Sequence, residues 1–243
     1  MKSIWTITKR ELAGYFNSPV AYVFLVIFLL MTGAFTFLIG QFMDRNQATL
    51  QAFFMWHPWI YLFLVPAVGM RLWSEERRLG TMELLLTMPI SLWHCIIGKF
   101  LASWLFLTLA LVMTFPIWIT VNYLGDPDNT VIVASYIGSF FLAGAYLSIT
   151  SMTSAFTRNQ VISFILSVVI CLFLVLCGWP PVTDVVEPLA PRWIVEFVAA
   201  SSVMTNVEQF NNGQIDSRAV IYFLSVIGFP LFATSVIIRG LRA

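Results

Sequence analysis

The sequence has 243 residues, of which 59% are hydrophobic and 10% are charged. A soluble domain carries roughly 25% charged residues and could not bury so much apolar surface in a core of this size. The composition therefore excludes an ordinary water-soluble domain and indicates a chain whose solvent is mostly lipid. The formal net charge of +1 gives no reason to expect nucleic acid or an acidic substrate as a partner.

Residues 1–18 have the pattern of an amphipathic helix. Projected onto a helix, the basic side chains lie off one apolar stripe, formed by Ile4, Trp5, Leu12, Tyr15 and Phe16. We interpret the segment as an elbow helix in the inner membrane interface; a plain positively flanked anchor for the first span is the alternative. The sequence Asn17-Ser18-Pro19 predicts a turn into that span. The residues assigned to the elbow are Trp5, Arg10, Glu11, Tyr15, Ser18 and Pro19.

Six stretches of the chain are uncharged, and each is long enough for the roughly 20 residues that a bilayer-crossing helix needs. Because lipid cannot satisfy free backbone polar groups, each stretch is expected to be helical. The predicted fold is an all-α integral membrane protein with one domain over residues 1–243. Its spans are predicted near 20–40, 58–73, 97–121, 131–155, 160–178 and 219–239. Three prolines inside spans are expected to kink their helices rather than end them: Pro66, Pro116 and Pro230.

The basic residues predict the orientation, because Lys and Arg concentrate in cytoplasmic loops. With the N-terminus inside, three basic residues fall outside, namely Arg45, Arg192 and Arg218. Ten fall inside: Lys2, Lys9, Arg10, Arg71, Arg77, Arg78, Lys99, Arg158, Arg239 and Arg242. Both termini are therefore predicted to be cytoplasmic, and the number of spans even.

The outer loops are predicted at 41–57, 122–130 and 180–218. Prolines break the last of these, and Asn211-Asn212-Gly213 marks a turn. Apolar residues between them favour a short helix around 193–198 that lies on the outer leaflet or dips into it.

Span four carries a ladder of small residues at four-residue intervals, Ser135, Ser139 and Ala143. Small residues let transmembrane helices approach closely. The ladder is expected to pack within the bundle, with a subunit interface as the alternative.

The cytoplasmic segment 74–91 joins spans two and three. Gly80 is expected to end the helix that leaves the membrane, Thr81 to cap a new helix and Pro89 to end it. On that helix Met82, Leu85 and Leu86 would share an exposed apolar face, which needs a cover. The face either folds back on the membrane or docks in another protein, and docking is preferred. The neighbouring charges either bind that partner or form a solvated helix end: Glu75, Glu76, Arg77 and Arg78.

The sequence does not contain the residues that several classes of function require. No predicted span has an ionisable residue near its centre, which disfavours an ion-coupled transporter. His57 and His94 are isolated at opposite membrane edges and are interpreted as interfacial polar residues. The sequence has no G-x-S-x-G, H-E-x-x-H or Walker A motif, so neither an intramembrane hydrolase nor an ATPase is expected. The energy source is expected in another protein, and segment 74–91 is the place to receive it.

The chain resembles the ABC-2 type permeases, and within them the gliding-motility, GldF-like branch. Three stretches carry the likeness: 9–22 (KRELAGYFNSPVAY), 70–90 (MRLWSEERRLGTMELLLTMPI) with 98–100 (GKF), and 213–225 (GQIDSRAVIYFLS). The pattern E-E-R-x-x-G-T-x-E is similar to the coupling region of that family, while the other two stretches resemble its elbow and its last span.

The resemblance implies a six-helix permease domain in the bacterial inner membrane that pairs with a second copy or a paralogue. Two separate cytosolic ATPases would bind ATP and Mg²⁺, and this chain would bind no cofactor. Spans one, two and five would line the pathway. A further partner of that branch is a GldG-like membrane protein with an extracytoplasmic domain. The residues assigned to ATPase coupling are Glu75, Glu76, Arg77, Arg78, Gly80, Thr81, Met82, Glu83, Leu85, Leu86, Pro89 and Arg158.

Two functions remain open at this point. The first is an exporter permease, which switches access to the outside when the ATPases associate. The second is a scaffold that passes the work of the ATPases to an outer partner without moving cargo, based on the long outer segment 180–218. A membrane enzyme is the least favoured class.

Overall fold

The computed structural model describes residues 2–43, 47–82, 91–179, 181–182 and 200–240. Within these ranges the chain is helical and has no β-strand. The helices are α1 (Lys2–Phe16), α2 (Pro19–Ala34, continued as a π-helix over Phe35–Ile39), α3 (Gln51–Phe54), α4 (His57–Gly69), α5 (Arg71–Leu79), α6 (Leu92–Val112), α7 (Phe115–Leu124), α8 (Asn129–Phe156), α9 (Gln160–Leu176), α10 (Val203–Asn211) and α11 (Ser217–Gly240).

Four helical stretches are long and apolar enough to cross a bilayer. They are Pro19–Ile39, Leu92–Leu124, Asn129–Phe156 and Ser217–Gly240. The two other predicted spans, 58–73 and 160–178, are helical at the expected places, but α4 has 13 residues and α9 has 17. The chain is thus an all-helical multi-pass membrane protein.

Short polar side chains begin the helices, as local capping requires. The Ser18 hydroxyl accepts a hydrogen bond from the backbone N–H of Val20, and Pro19 occupies the first turn of α2. The predicted turn between the first two helices is therefore confirmed. Asp128 and Asn159 cap α8 and α9 in the same way, by accepting from backbone N–H groups two residues ahead.

Helix α8 is the centre of the bundle and packs against α4, α5, α6, α9, α10 and α11. Its small residues make these contacts possible. A Cβ on Gly138 would lie 2.7 Å from Cβ of Phe210, so α10 can approach α8 only at a glycine. Ser135, Ser139 and Ala143 are all buried within the chain. The ladder therefore packs inside the bundle, as expected, and not at a subunit interface.

The prediction for Pro116 was wrong. The helix does not kink at this proline but stops at Val112, and α7 begins at Phe115 with Pro116 in its first turn. A proline cannot donate the hydrogen bond that would continue the helix. The missing N–H would have bonded the carbonyl of Val112, four residues before Pro116, and the Thr114 hydroxyl donates to the neighbouring carbonyl of Leu111 at 2.6 Å. Pro66 and Pro230 do lie inside their helices.

His57 is fully buried, which corrects its interpretation as an interfacial residue. Its Nδ1 lies 2.7 Å from the Ser139 hydroxyl, and its ring is packed by Phe53, Phe54 and Tyr61. Because the aromatic rings come from α3 and α4 while the serine comes from α8, the burial depends on contacts that local sequence does not reveal.

The segment 180–218 contains a helix that the sequence reasoning missed. Helix α10 is capped by Ser202 and buries Val203, Val207 and Phe210 against the bundle. The predicted turn after it is confirmed, since Gly213 has φ +78° and donates to the carbonyl of Phe210. The helix expected around 193–198 lies outside the described residues.

Candidate functional site

Helix α5 leaves the bundle and leads into the predicted coupling segment. It ends at Gly80, whose φ of 71° and ψ of 7° place it in the left-handed region that glycine adopts without strain. The N–H of Gly80 donates to the carbonyl of Glu76, and the Thr81 hydroxyl donates to the same carbonyl at 3.4 Å. The prediction that Gly80 ends this helix is confirmed.

A buried lysine joins three helices at this end of the bundle. Nζ of Lys99, on α6, lies 2.8 Å from Oε1 of Glu76 on α5 and 3.3 Å from Oε2 of Glu11 on α1. Its side chain is only 8% exposed, and Nζ lies 5.6 Å from the ring centroid of Trp73. An ammonium this buried is tolerated because carboxylates and an aromatic face replace its water. We call Glu11, Glu76 and Lys99 the ion cluster.

The carboxylate of Glu11 holds its charge within this cluster. Burial alone would raise the pKa of Glu11, but the Lys99 ammonium and the Arg10 guanidinium together outweigh burial and lower the pKa below its ordinary value of 4.5. Nη2 of Arg10 lies 2.9 Å from Oε1 of Glu11. The carboxylate therefore stays ionised at neutral pH and compensates the buried ammonium.

Helix α1 packs along the first half of α6. The Thr8 hydroxyl donates to the carbonyl of Gly98 at 3.2 Å, and the Tyr15 and Ser103 hydroxyls lie 2.8 Å apart. A Cβ on Gly98 would lie 2.8 Å from the Ile7 side chain, so the close approach requires glycine here. The packed face corrects the predicted stripe, because Trp5 is 55% exposed while Ile7 is buried.

Helix α5 is also fixed to the end of α8. The Ser154 hydroxyl accepts from the backbone N–H groups of Trp73 and Ser74, both at 3.0 Å, and donates to the carbonyl of Met70. Nε1 of Trp73 donates to the Ser151 hydroxyl at 3.1 Å. One serine on α8 therefore satisfies two of the first four N–H groups of α5, which the helix itself leaves unpaired.

Two of the predicted coupling arginines lie near each other on the exposed side of this junction. Nη1 of Arg77 donates to the carbonyl of Ala155 at 2.7 Å, and Arg158 is close enough for its charge to lower the pKa of Arg77, after the larger effect of burial. Arg78 is exposed and Glu75 is half-buried. Neither has an ion pair within the described part of the chain.

Met82 does not lie on an exposed apolar face, as the sequence pattern had predicted. It is 6% exposed and belongs to the main hydrophobic core of the chain. The backbone turn at Gly80 directs the following residue back toward the bundle, which a helical projection cannot show. Four other predicted coupling residues lie outside the described residues: Glu83, Leu85, Leu86 and Pro89.

The sequence reasoning missed the residues that hold this site together. Lys99 was counted only as a basic residue at a span end, although a lone lysine among apolar residues indicates a buried partner. Ser151 and Ser154 belong to a second run of small polar residues at the end of α8, beyond the ladder. Their partners on α5 are about 80 residues away in the chain, so spacing alone could not pair them.

A family model described as "ABC-2 family transporter protein" matches residues 60–210, which include α5, the ion-cluster residues Glu76 and Lys99, and the central helix α8. No curated protein matches the chain significantly.

Proposed function

Because the chain belongs to the ABC-2 family of transporter proteins, we propose that it is the permease subunit of an ABC exporter driven by separate cytosolic ATPases. Its apolar helices make it a multi-pass membrane component of such a transporter. One observation carries the coupling role: the chain continues from α5 through residues 80–82 into segment 83–90, and α5 is bonded directly to α6 and α8 and, through Lys99, to α1. A movement of that segment therefore has rigid connections into the bundle.

In the proposed mechanism the ATPases bind segment 83–90 and move it when they associate with each other on binding ATP. Helix α5 transmits the movement through two contacts. The ion pair between Glu76 and Lys99 carries it to α6 and, through Glu11, to α1; the Ser154 bonds carry it to α8. Arg77, Arg78 and Arg158 are basic residues at the junction of α5 and α8, and they suit acidic groups of an ATPase. We do not assign Met82 a docking role, because it is buried.

The assembly we propose places both termini in the cytoplasm of a bacterium, with six spans and α1 as an elbow helix at the inner interface. The short helices α4 and α9 would be the second and fifth spans. Helix α2 presents an exposed apolar face, which requires lipid or a second permease copy as its cover. ATP and Mg²⁺ belong to the ATPases in this account. The GldF-like branch and a GldG-like partner are parts of the same proposal.

The test is a mild-detergent purification of the chain from its native membrane, followed by mass spectrometry of the proteins that stay bound. We expect an ATPase with a Walker A motif at about equal amounts, lost in the double variant Glu83→Arg/Leu85→Arg. The double variant Glu208→Arg/Ile215→Arg is the matched control, because it makes the same charge change at two exposed positions at the opposite end of the bundle. Recovery of the chain alone, or of the ATPase with both variants, would contradict the coupling assignment.

A scaffold subunit is the second candidate, and one observation favours it. A cavity of about 250 Å³ lies at the α10 end of the bundle, lined by polar residues that include Gln51, Asp128 and Asn211. Oδ1 of Asn211 is buried there without a hydrogen-bond partner. If the chain serves an outer partner, Asn211→Leu should release that partner and abolish function. Function that persists without the partner would instead support the permease.

A further inference from the structure

A cavity of about 550 Å³ lies beside the ion cluster, between α1, α2, α4, α5 and α6. This volume lies within the range of about 300–1,000 Å³ that is usual for small-molecule sites. One end of the cavity is charged and the remainder is apolar. The charged end is lined by Glu11, Arg71, Glu75, Glu76 and Lys99.

The charges at this end are only partly paired within the protein. Lys99 is satisfied by Glu11 and Glu76, but Oε2 of Glu76 is buried and has no hydrogen-bond partner among the described residues. Arg71 and Glu75 form no ion pair with any described residue. Among the residues that the structure describes, Arg71 is therefore a cation of the cavity without an ion pair, and carboxylate oxygens of Glu75 and Glu76 lie free beside it. A ligand that complements this set carries an anion and a hydrogen-bonding cation on one headgroup.

The apolar walls come from the first turns of α2 and the last turns of α4: Val20, Val23, Phe24, Ile27, Leu64 and Val68. Three of the α2 residues are exposed: Val20 by 50%, Val23 by 55% and Ile27 by 39%. Helix α2 is long and apolar enough to span the membrane, so this wall faces the acyl region. A ligand of the cavity thus has an apolar chain as well as a charged headgroup.

From these features we propose that the cavity binds an aminophospholipid, that is, a membrane phospholipid with a primary ammonium in its headgroup. The phosphate binds Arg71, since guanidinium groups match phosphate oxygens. The ammonium donates hydrogen bonds to Glu75 and to the free Oε2 of Glu76, and an acyl chain lies along Val23 and Ile27. The lipid is a resident ligand that fills the space between α1 and α4. This inference rests on membrane insertion alone and does not depend on coupling to an ATPase.

Native mass spectrometry of the purified full chain tests this assignment. Dioleoyl phosphatidylethanolamine, phosphatidylcholine and phosphatidylglycerol are added separately at equal concentrations. A trimethylammonium has no N–H donor and a glycerol headgroup has no cation, so the ethanolamine lipid should bind about tenfold more tightly than either. Equal binding of all three lipids, or preference for phosphatidylglycerol, would overturn the proposal.

Variants locate the site. Arg71→Gln and Glu75→Gln should each reduce ethanolamine-lipid binding about tenfold, whereas Arg78→Gln on the same helix lies outside the cavity and should not. Val23→Trp should fill the apolar wall and displace the lipid. Val26→Trp is its control, because Val26 is equally exposed but does not line the cavity.

The two α2 variants also distinguish the competing occupant. Loss of lipid with Val23→Trp but not with Val26→Trp supports the lipid site. If Val23→Trp instead leaves lipid binding intact and breaks a dimer into monomers, the wall is a contact between copies and the proposal fails. Melting temperatures close to that of the unchanged protein verify that each variant is folded.

Discussion

Nζ of Lys99 lies 2.8 Å from Oε1 of Glu76, which connects the start of α6 to the middle of α5. The pair lies one turn before Gly80, where α5 ends and the chain turns toward segment 83–90. A force on that segment therefore acts on the apolar packing of Met82 and, through α5, on this charged contact. The same lysine also bonds Glu11, so α1 shares the contact.

Removal of the lysine charge should destabilise the protein strongly. Lys99→Met leaves Glu76 without its cation and Glu11 with only the exposed Arg10, and loss of one partner of a buried pair costs about 3–5 kcal/mol. Thermal unfolding in detergent measures the loss. The charge-free triple variant Glu11→Gln/Glu76→Gln/Lys99→Met should recover most of the stability. A triple variant as unstable as Lys99→Met would show that the loss of stability comes from packing and not from the unpaired charges.

The stability of the folded protein should decrease at acidic pH because Glu11 becomes protonated. Its pKa is lower in the folded protein than the ordinary value of 4.5, so its contribution is fully present above about pH 4.5. The contribution is lost as the pH falls from there through the lower folded pKa, because in this range the unfolded state binds the proton more readily than the folded state. In Glu11→Gln this part of the pH dependence should disappear. The melting temperatures of both proteins are measured between about pH 6 and pH 3, a range that brackets the ordinary titration of a carboxyl group at about 4. The same dependence on pH in both proteins would contradict the ion-cluster assignment.

Gly80→Ala should destabilise the end of α5 by about 1–2 kcal/mol, the usual cost of a left-handed conformation for a residue with a Cβ. No atom of the described residues would contact the new methyl group, so the cost expected is conformational. Gly33→Ala is the matched control: it also meets open space but lies in an ordinary helical conformation, and it should be neutral or stabilising. Thermal unfolding and proteolysis after residue 80 measure the difference. If Gly80→Ala and Gly33→Ala change the stability equally, the left-handed turn at Gly80 does not need a glycine.

Ser154→Ala should separate α5 from α8. The change leaves two buried N–H groups of α5, those of Trp73 and Ser74, without their acceptor, and each unsatisfied group costs about 1–3 kcal/mol. Hydrogen exchange of the α5 amides should become faster. Ser225→Ala is the control, because its hydroxyl is exposed and bonds only the Tyr222 carbonyl of its own helix. If hydrogen exchange in α5 is unchanged in Ser154→Ala, then Ser154 does not hold α5 against α8.

Local features of this chain were predictable from sequence, and long-range pairings were not. Gly80 and the turn at Ser18-Pro19 follow from the backbone preferences of their own residues, and both predictions are confirmed. The partner of Lys99 and the burial of Met82 depend on which helices meet, and the residues in contact are far apart in the chain. Helix α10 was missed because its apolar residues occur in a polar loop, and it is Gly138 of α8, beside the small ladder, that makes room for it.

The most direct test of coupling through α5 is hydrogen exchange of the ATPase-bound complex, with and without trapped ATP. The account predicts that trapped ATP changes amide exchange in α1 as well as in α5, since the ion cluster joins them. In the triple variant Glu11→Gln/Glu76→Gln/Lys99→Met, the change in α5 should remain and the change in α1 should be lost. Exchange in α1 that does not respond to ATP in the unchanged protein, or that responds equally in the triple variant, would contradict the account.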